Sequence, residues 1–524
     1  VKANEIAGRK RGRGAAGSAT TKGDGSLSRS ALIGTSWLLA QNVGTRVISF
    51  GSQIILAKLL APSDFGNIGL ALTITTLANV VANFGVDDVL LQRQNTLRFW
   101  ASTAFVTSLC LGLFSFIAVV AIAPFAVFLY RSPVLLSILP LMALSIPLTA
   151  LSTVPTAQIR ARLDFRFLAT YTTAELAATQ LLTIGLAVWG FGVYSFVIPA
   201  PLMALLRAVA FWLIAKPKLG RVRLKLLRLM GSNSAAAFGQ KLLTAAVSQG
   251  DYFVLGLVAA KPVIGAYFFA FRLAIQPVQL LAGNLTNVLF PILAQLRYEL
   301  RRQREAALNA SRMLAFMVMP YCFLQAAVAR PVLNLVFGTK WQDAIPLVEI
   351  LSIGLAFDAV SWVAGALLLA RGEFRTSFVY SCISFPIFFG LITLGAVYFS
   401  ALGVAVAVSI FYVALAPIYS YSVFRKVGVS RSEVVAIYLS PVAFAAVAAL
   451  SAVFLSAVVP LGELARTIVI GIVGSVLYLV LVRLFVPSTF HQLIARMRAM
   501  VPSSVRKVTV TAEVEFGTGI PPAV

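Results

Sequence analysis

Arg46, Arg207, Lys241, Arg272 and Arg483 stand inside long apolar runs of this 524-residue chain. A charge near the centre of a bilayer costs about 2.5–3.5 kcal/mol on insertion scales, so such a residue must face a partner or a water-filled cavity. Arg483 is close enough to the end of its run to snorkel to the interface. The helical neighbours of the deeper residues mark polar faces. Asn42, Arg46, Ser49 and Gln53 recur at i, i+4, i+7 and i+11, and Thr76, Asn79, Asn83 and Asp87 share a second face. Lys241, Thr244, Ser248 and Asp251 form a third stripe, and Arg272, Gln276, Gln279, Gly283 and Asn287 a fourth. One-sided polar stripes on apolar helices avoid lipid. Arginine grips a phosphate through parallel N–H donors, and lysine offers a point charge. Arg46, Lys241 and Arg272, with the amides of Asn42, Gln53, Gln276 and Asn287, therefore outline a cationic cavity suited to an anionic head group. The competing reading is helix–helix glue, with Arg46 or Lys241 paired to Asp251 or Asp87.

A transporter driven by a coupling ion needs a carboxylate in or beside its pathway. Asp87, Glu175, Asp251 and Asp358 are the candidates: Asp358 lies deepest, Asp251 shares the stripe of Lys241, and Glu175 has Thr172 and Thr179 on its face. Against each stands a structural salt bridge, the preferred reading for Asp88 and Glu349 near the interfaces. The single His491 makes no metal cluster, and Cys110, Cys322 and Cys382 fall in apolar runs, where they read as small packing residues. Gly12, Gly14 and Gly17 match a dinucleotide fingerprint, but no strand precedes them. No Walker A motif is present, and no catalytic residue, metal or cofactor is expected.

The elements that must position these groups are membrane helices. The chain is 59% hydrophobic and 12% charged, against about 25% charged in soluble domains. Apolar runs fall at 31–56, 66–90, 102–124, 134–156, 169–188, 193–215, 232–258, 264–292, 313–335, 344–370, 376–399, 402–423, 433–457 and 464–486. Each suffices to cross about 30 Å of hydrocarbon, which predicts an all-α polytopic membrane protein of about fourteen transmembrane helices. Most of the 43 Lys and Arg fall in alternate connections. Only Lys58, Arg131, Lys261, Arg330, Lys340 and Arg466 occupy the others. That alternation places both termini in the cytoplasm, and it explains the net charge of +25 without nucleic acid. Residues 1–30 read as a disordered cytoplasmic tail and 487–524 as a second tail; no cleaved signal peptide is expected. Ala61-Pro62-Ser63-Asp64-Phe65-Gly66 and Ala260-Lys261-Pro262-Val263-Ile264-Gly265 form an internal repeat, which relates the halves 31–215 and 232–423 about an axis along the membrane normal. The basic segment 216–231 joins them, and 433–486 adds two helices.

Several stretches resemble one family. Ile55 to Gly66 (ILAKLLAPSDFG) is similar to the "ArlLsPedFG" stretch of Wzx-type polysaccharide and O-antigen flippases, and Leu90-Leu91-Gln92-Arg93 resembles the end of their second helix. Ile159 to Arg166 is similar to their loop after helix 4. Asp251 to Gly256, Gly265-Ala266-Tyr267 and Val288 to Pro291 resemble their second-half signature. The resemblance spans about 31–425. It implies the multidrug/oligosaccharidyl-lipid/polysaccharide exporter fold, with two six-helix lobes around a central cavity plus two C-terminal helices. It implies a secondary-type transporter of the bacterial inner membrane, not an enzyme. Undecaprenyl-diphosphate-linked oligosaccharide would pass from the inner to the outer leaflet by alternating access, for exopolysaccharide, capsule or lipopolysaccharide O-antigen synthesis. Membrane lipids, a polysaccharide polymerase and a chain-length regulator are the partners it suggests. A drug or metabolite exporter or a peptidoglycan-precursor flippase of the same fold is the alternative. A membrane glycosyltransferase or polymerase fits less well, because the loops expected outside are short and hold few acids (Asp64, Asp343 and Glu463).

Overall fold

The computed structural model describes residues 44–45, 48–84, 86, 90, 97–161, 165–217, 220, 222, 224–458, 460 and 462–487; for some of these, among them 224–237, 284 and 287–288, it describes the backbone alone. Arg46, Asn42, Asp87, Asp88, His491, the glycines at 12, 14 and 17, both tails apart from Pro487, and the Asn287 side chain lie outside the described residues. One compact unit comprises Ser49–Met500, and a second comprises Val1–Ile48 with Val501–Val524. Of the second, Gly44, Thr45 and Ile48 are described, and they are helical.

The described residues are helical, with turns between helices and no strand. The helices are α1 (Ile48–Leu59), α2 (Pro62–Asn83), α3 (Leu97–Tyr130), α4 (Leu135–Ala161), α5 (Phe165–Val188), α6 (Tyr194–Ala215) and α7 (Leu224–Val258). Next come α8 (Lys261–Gly283, continued by Asn284–Gln295), α9 (Leu300–Phe337) and α10 (Ile345–Ala356, then Asp358–Arg371). The helical stretch Phe374–Phe424 reverses at Ser400, where φ is 53°, and so forms α11 (374–399) and α12 (401–424). The last two are α13 (Arg431–Val458) and α14 (Glu463–Phe485). Nine stretches of the described residues are long and apolar enough to cross a membrane. Two of these, Leu300–Arg371 with 72 residues and Phe374–Val427 with 54, exceed a single crossing of about twenty residues and double back.

The internal repeat is visible in the backbone. Ala61 (φ −76°, ψ 153°) and Ala260 (φ −71°, ψ 151°) are extended and cap α2 and α8, and Pro62 and Pro262 occupy the first turns. Proline suits that position because its missing N–H has no intrahelical partner there. The two motifs pack on each other. A β-carbon at Gly66 would overlap the carbonyl of Lys261, and one at Gly265 the carbonyl of Pro62. Only glycine allows such reciprocal contact of the two helix starts.

Mid-helix prolines free the carbonyl four residues earlier, and in lipid each freed carbonyl needs a donor from elsewhere. For three of them the donor comes from a neighbouring helix. Trp212 Nε1 of α6 bonds Leu151 O, freed by Pro155, at 2.8 Å. Gln325 Nε2 of α9 bonds Leu273 O, freed by Pro277, at 2.8 Å. Tyr478 Oη of α14 bonds Phe316 O, freed by Pro320, at 2.8 Å. This last bond is one of the ties that hold the C-terminal pair to α9. Arg304 bonds both carboxylate oxygens of Glu433 at 2.8 and 2.9 Å. Glu433 also closes a capping box with Ser430 at the start of α13, accepting from the Ser430 N–H at 2.9 Å while the Ser430 hydroxyl accepts from the Glu433 N–H at 3.3 Å. At the far end Asn334 Nδ2 donates to Glu463 at 3.4 Å.

The run 134–156 falls within α4, whose two pieces, Leu135–Ala143 and Ser145–Ala161, meet at Leu144, itself in helical conformation, between Pro140 and Pro147. Two expectations change. The run 264–292 stays helical through Ile275 but is not uniform, because a π-helical segment occupies Gln279–Gly283. The stripe through Arg272, Gln276, Gln279, Gly283 and Asn287 assumed uniform 3.6-residue turns, and a π-turn shifts the register beyond it. Cys322 is buried as a packing residue, but Cys110 and Cys382 are exposed on the helix surface.

Candidate functional site

α8 starts beside α2 and carries Arg272 about 16 Å along its axis from Lys261, at about 1.5 Å per residue; that is about half the thickness of a hydrocarbon core. The guanidinium carbon sits 5.3 Å from the centroid of the Phe268 ring. Phe268 and Tyr252, whose rings are 5.5 Å apart, are each 4% exposed, yet the Arg272 side chain itself is exposed. No carboxylate among the described residues lies within ion-pair distance of it. One turn along, Gln276 is half-buried. The aromatic platform was not singled out in the sequence, although Phe268 stands at i−4 from Arg272.

On α7, Lys241, Thr244 and Ser248 are exposed, and the stripe ends at Asp251, which is 2% exposed. The Asp251 carboxylate accepts from the Tyr267 hydroxyl at 2.8 Å and from the Tyr252 N–H at 2.9 Å. Its partners are thus a phenol and a backbone amide, with no lysine or arginine of the described residues in ion-pair range. Gln53 is 8% exposed, and its Nε2 has no hydrogen-bond partner among the described residues.

Glu175 meets Arg207. Its Oε2 accepts from Nε at 3.0 Å and from a terminal guanidinium nitrogen at 2.5 Å. The threonines on its face bond backbone carbonyls instead: Thr172 those of Leu168 and Ala169, Thr179 that of Glu175 itself. The geometry of Glu175 is that of the structural salt bridge. Asp358, at the start of the second piece of α10, accepts from Trp362 Nε1 at 3.0 Å. Tyr380 and Tyr419, within electrostatic reach of it, have ring centroids 4.1 Å apart. Asp358 therefore stands in a phenol-rich region among α10, α11 and α12.

The end of the unit that bears the repeat motifs is tied by side chains that donate to backbone carbonyls. Lys261 Nζ donates to Arg131 O at 2.7 Å, Lys340 Nζ to Lys58 O at 2.8 Å and Trp341 Nε1 to Ala57 O at 3.0 Å. The Phe65 ring packs on Trp341, Phe196 and Phe269 with centroids 5.2–6.2 Å away. At the other end Glu373 binds Arg371, Lys426 and Thr376, and Arg371 reaches Gln303 at 3.2 Å. Burial raises the Glu373 carboxyl, but the hydrogen bonds from Lys426 and Arg371 and the Lys426 charge outweigh it and hold the group below its ordinary value.

Groups of His, Cys, Asp and Glu able to hold a metal ion are absent among the described residues.

Comparison with known proteins places this architecture. The chain is 26% identical over 481 residues to the succinoglycan biosynthesis transport protein ExoT of Rhizobium meliloti, covering 89% of this chain and 95% of that one. It is 23% identical to the lipopolysaccharide biosynthesis protein WzxC of Escherichia coli, covering 72% and 78%. Its fold is similar to that of the lipid II flippase MurJ in an inward closed conformation, with a TM-score of 0.71, 14% identity, and coverage of 86% of this chain and 99% of that one. The chain is a multi-pass membrane protein. Residues 55–346 match the family model described as polysaccharide biosynthesis protein, and the chain belongs to that family.

Proposed function

We propose that the protein is a flippase that moves undecaprenyl-diphosphate-linked oligosaccharide from the inner to the outer leaflet of the bacterial cytoplasmic membrane. The observation that carries this reading is Arg272. It is an exposed cation about half-way along a membrane helix, seated on an aromatic ring, with no carboxylate among the described residues to neutralise it. Such a charge is costly unless a ligand or water compensates it, and a diphosphate would compensate it through paired hydrogen bonds. Similarity to a protein named for succinoglycan transport and to one named for lipopolysaccharide biosynthesis supports the saccharide. The lipid II flippase fold supports translocation of a lipid-linked cargo.

In this reading the chain crosses the membrane about fourteen times with both termini cytoplasmic. The lobes 31–215 and 232–423 rock about the head group, and 433–486 is an added pair. Arg46, Lys241 and Arg272 bind the diphosphate or acidic sugar, with Asn42, Gln53, Gln276 and Asn287 as neutral partners. Asp251 and Asp358, each hydrogen-bonded to an aromatic side chain, are the preferred coupling-ion sites; Asp87 stays a candidate, and Glu175 is set aside because Arg207 already neutralises it. Transport is of the secondary type. A polymerase and a chain-length regulator take the product on.

The test is deletion of the gene in its host, complemented by wild type, Arg46→Ala, Lys241→Ala and Arg272→Ala, with protein levels checked. Expected is loss of surface polysaccharide, with repeat units trapped on the inner leaflet. Unchanged polysaccharide in the deletion strain, with no second flippase present, would overturn the substrate assignment in favour of a drug or metabolite exporter.

A further inference from the structure

The structure assigns to Phe268 a positioning role: it aims Arg272 at the anionic head group and ties that aim to closure of the α2–α8 seam. The inference rests on the flippase reading above. Phe268 and Arg272 are four residues apart on α8, so they lie on one helix face, and the guanidinium stands over the ring at 5.3 Å. The ring is held on its remaining sides by Tyr252 at 5.5 Å and Phe65 at 6.3 Å. It also abuts Gly69 of α2: a β-carbon there would stand 3.1 Å from the ring edge. Gly69 follows Gly66 by one turn, and Gly66 makes the close contact with the start of α8. The seam between the two repeat motifs therefore continues inward as a wall that fixes the Phe268 ring. When α2 and α8 separate, Phe268 loses that wall and Arg272 loses a fixed platform. The cation is thus rigidly presented while the seam is closed and released as it opens. Held this way, an arginine side chain spends less conformational freedom on binding a diphosphate.

The test titrates purified full-length protein with undecaprenyl diphosphate. Phe268→Leu removes the ring face and weakens binding about fivefold, in the range of a partly desolvated cation–π contact. Phe268→Tyr keeps the face and stays within about twofold of wild type. Gly69→Ala, which leaves both side chains in place, also weakens binding by disturbing the ring. The readout that separates positioning from stability is a double-mutant cycle. In an Arg272→Ala background, Phe268→Leu and Gly69→Ala have no further effect on affinity. A loss of affinity on Phe268→Leu that is as large in the Arg272→Ala background as in wild type would overturn the inference. Wild-type affinity in Gly69→Ala would overturn the tie to the seam. Unchanged binding in Arg272→Ala itself would strike instead at the flippase site beneath it, whatever Phe268 does.

Discussion

Arg207 and Arg272 are both arginines deep in membrane helices, and the protein treats them differently. Arg207 of α6 is neutralised by Glu175 of α5 through two hydrogen bonds to one carboxylate oxygen. Arg272 of α8 has an aromatic ring beneath it and no carboxylate among the described residues in reach. A buried pair mainly avoids the penalty of isolated charges and is weak evidence of function. A lone charge pays the insertion cost continuously, which selection tolerates where a ligand uses it. Depth and residue type alone do not separate the two; the partner does.

The widest separation between them should appear in transport. Arg272→Ala removes a charged hydrogen-bond donor worth about 1.5–3 kcal/mol, which corresponds to about ten- to a hundredfold in affinity. Measured as lipid-linked repeat units reaching the outer leaflet per molecule of protein, the loss should approach that range. Arg272→Lys should fall between, because the charge stays and the planar fork is lost. Equal transport by Arg272→Ala and wild type would erase the distinction between the two arginines.

Glu175→Gln probes the other side. It strands Arg207, whose side chain is 35% exposed beside a carboxylate that is 13% exposed. Breaking a fully buried pair costs about 3–5 kcal/mol, and the exposure of Arg207 reduces that to about 1–3 kcal/mol. The expected result is a lower melting temperature in detergent and less protein in the membrane. Glu175→Gln combined with Arg207→Met should recover both, with wild-type transport per molecule. Transport that stays lost in the double variant at full protein level would return Glu175 to the coupling-ion candidates.

Much of this was legible in the sequence. Among the described residues the apolar runs mark where helices occur, because length and hydropathy suffice for that. The short repeat at Ala61 and Ala260 predicted related halves, and the structure brings the two motifs into contact. What the sequence hid were partners far apart in the chain. Nothing local says that Glu175 meets Arg207 or that Phe268 abuts Gly69. The prolines announced freed carbonyls but not their donors; Trp212, Gln325 and Tyr478 lie 61, 52 and 162 residues from the carbonyls they satisfy. Uniform helical periodicity also could not foresee the π-segment that shifts the register after Gly283.

A neutral version of the same contrast follows from those carbonyls. Tyr478→Phe leaves Phe316 O without its donor in an apolar setting, at a cost of about 1–3 kcal/mol. The melting temperature should fall while transport per molecule stays at wild type, because α14 holds α9 and touches no proposed ligand group. A transport defect at normal stability would show that the C-terminal pair takes part in the cycle.

The smallest effect belongs to the paired charges at the interface, around Glu373. Its hydrogen bonds with Lys426, Arg371 and Thr376 hold it below the ordinary carboxylate value of 4.5. A group depressed in the folded state stabilises above its unfolded value and loses that contribution as pH falls through the folded value. The cluster should therefore help fully near neutral pH and progressively less below about pH 4.5. The pairs are a quarter to a third exposed, so the contribution is about 1 kcal/mol or less. Melting curves taken between pH 7 and pH 3 should show wild type losing its small advantage over Glu373→Gln at the acid end. A constant gap across that range would mean that Glu373 acts through its shape and hydrogen bonds rather than its charge. It would then belong with Tyr478, among the groups that hold helices together.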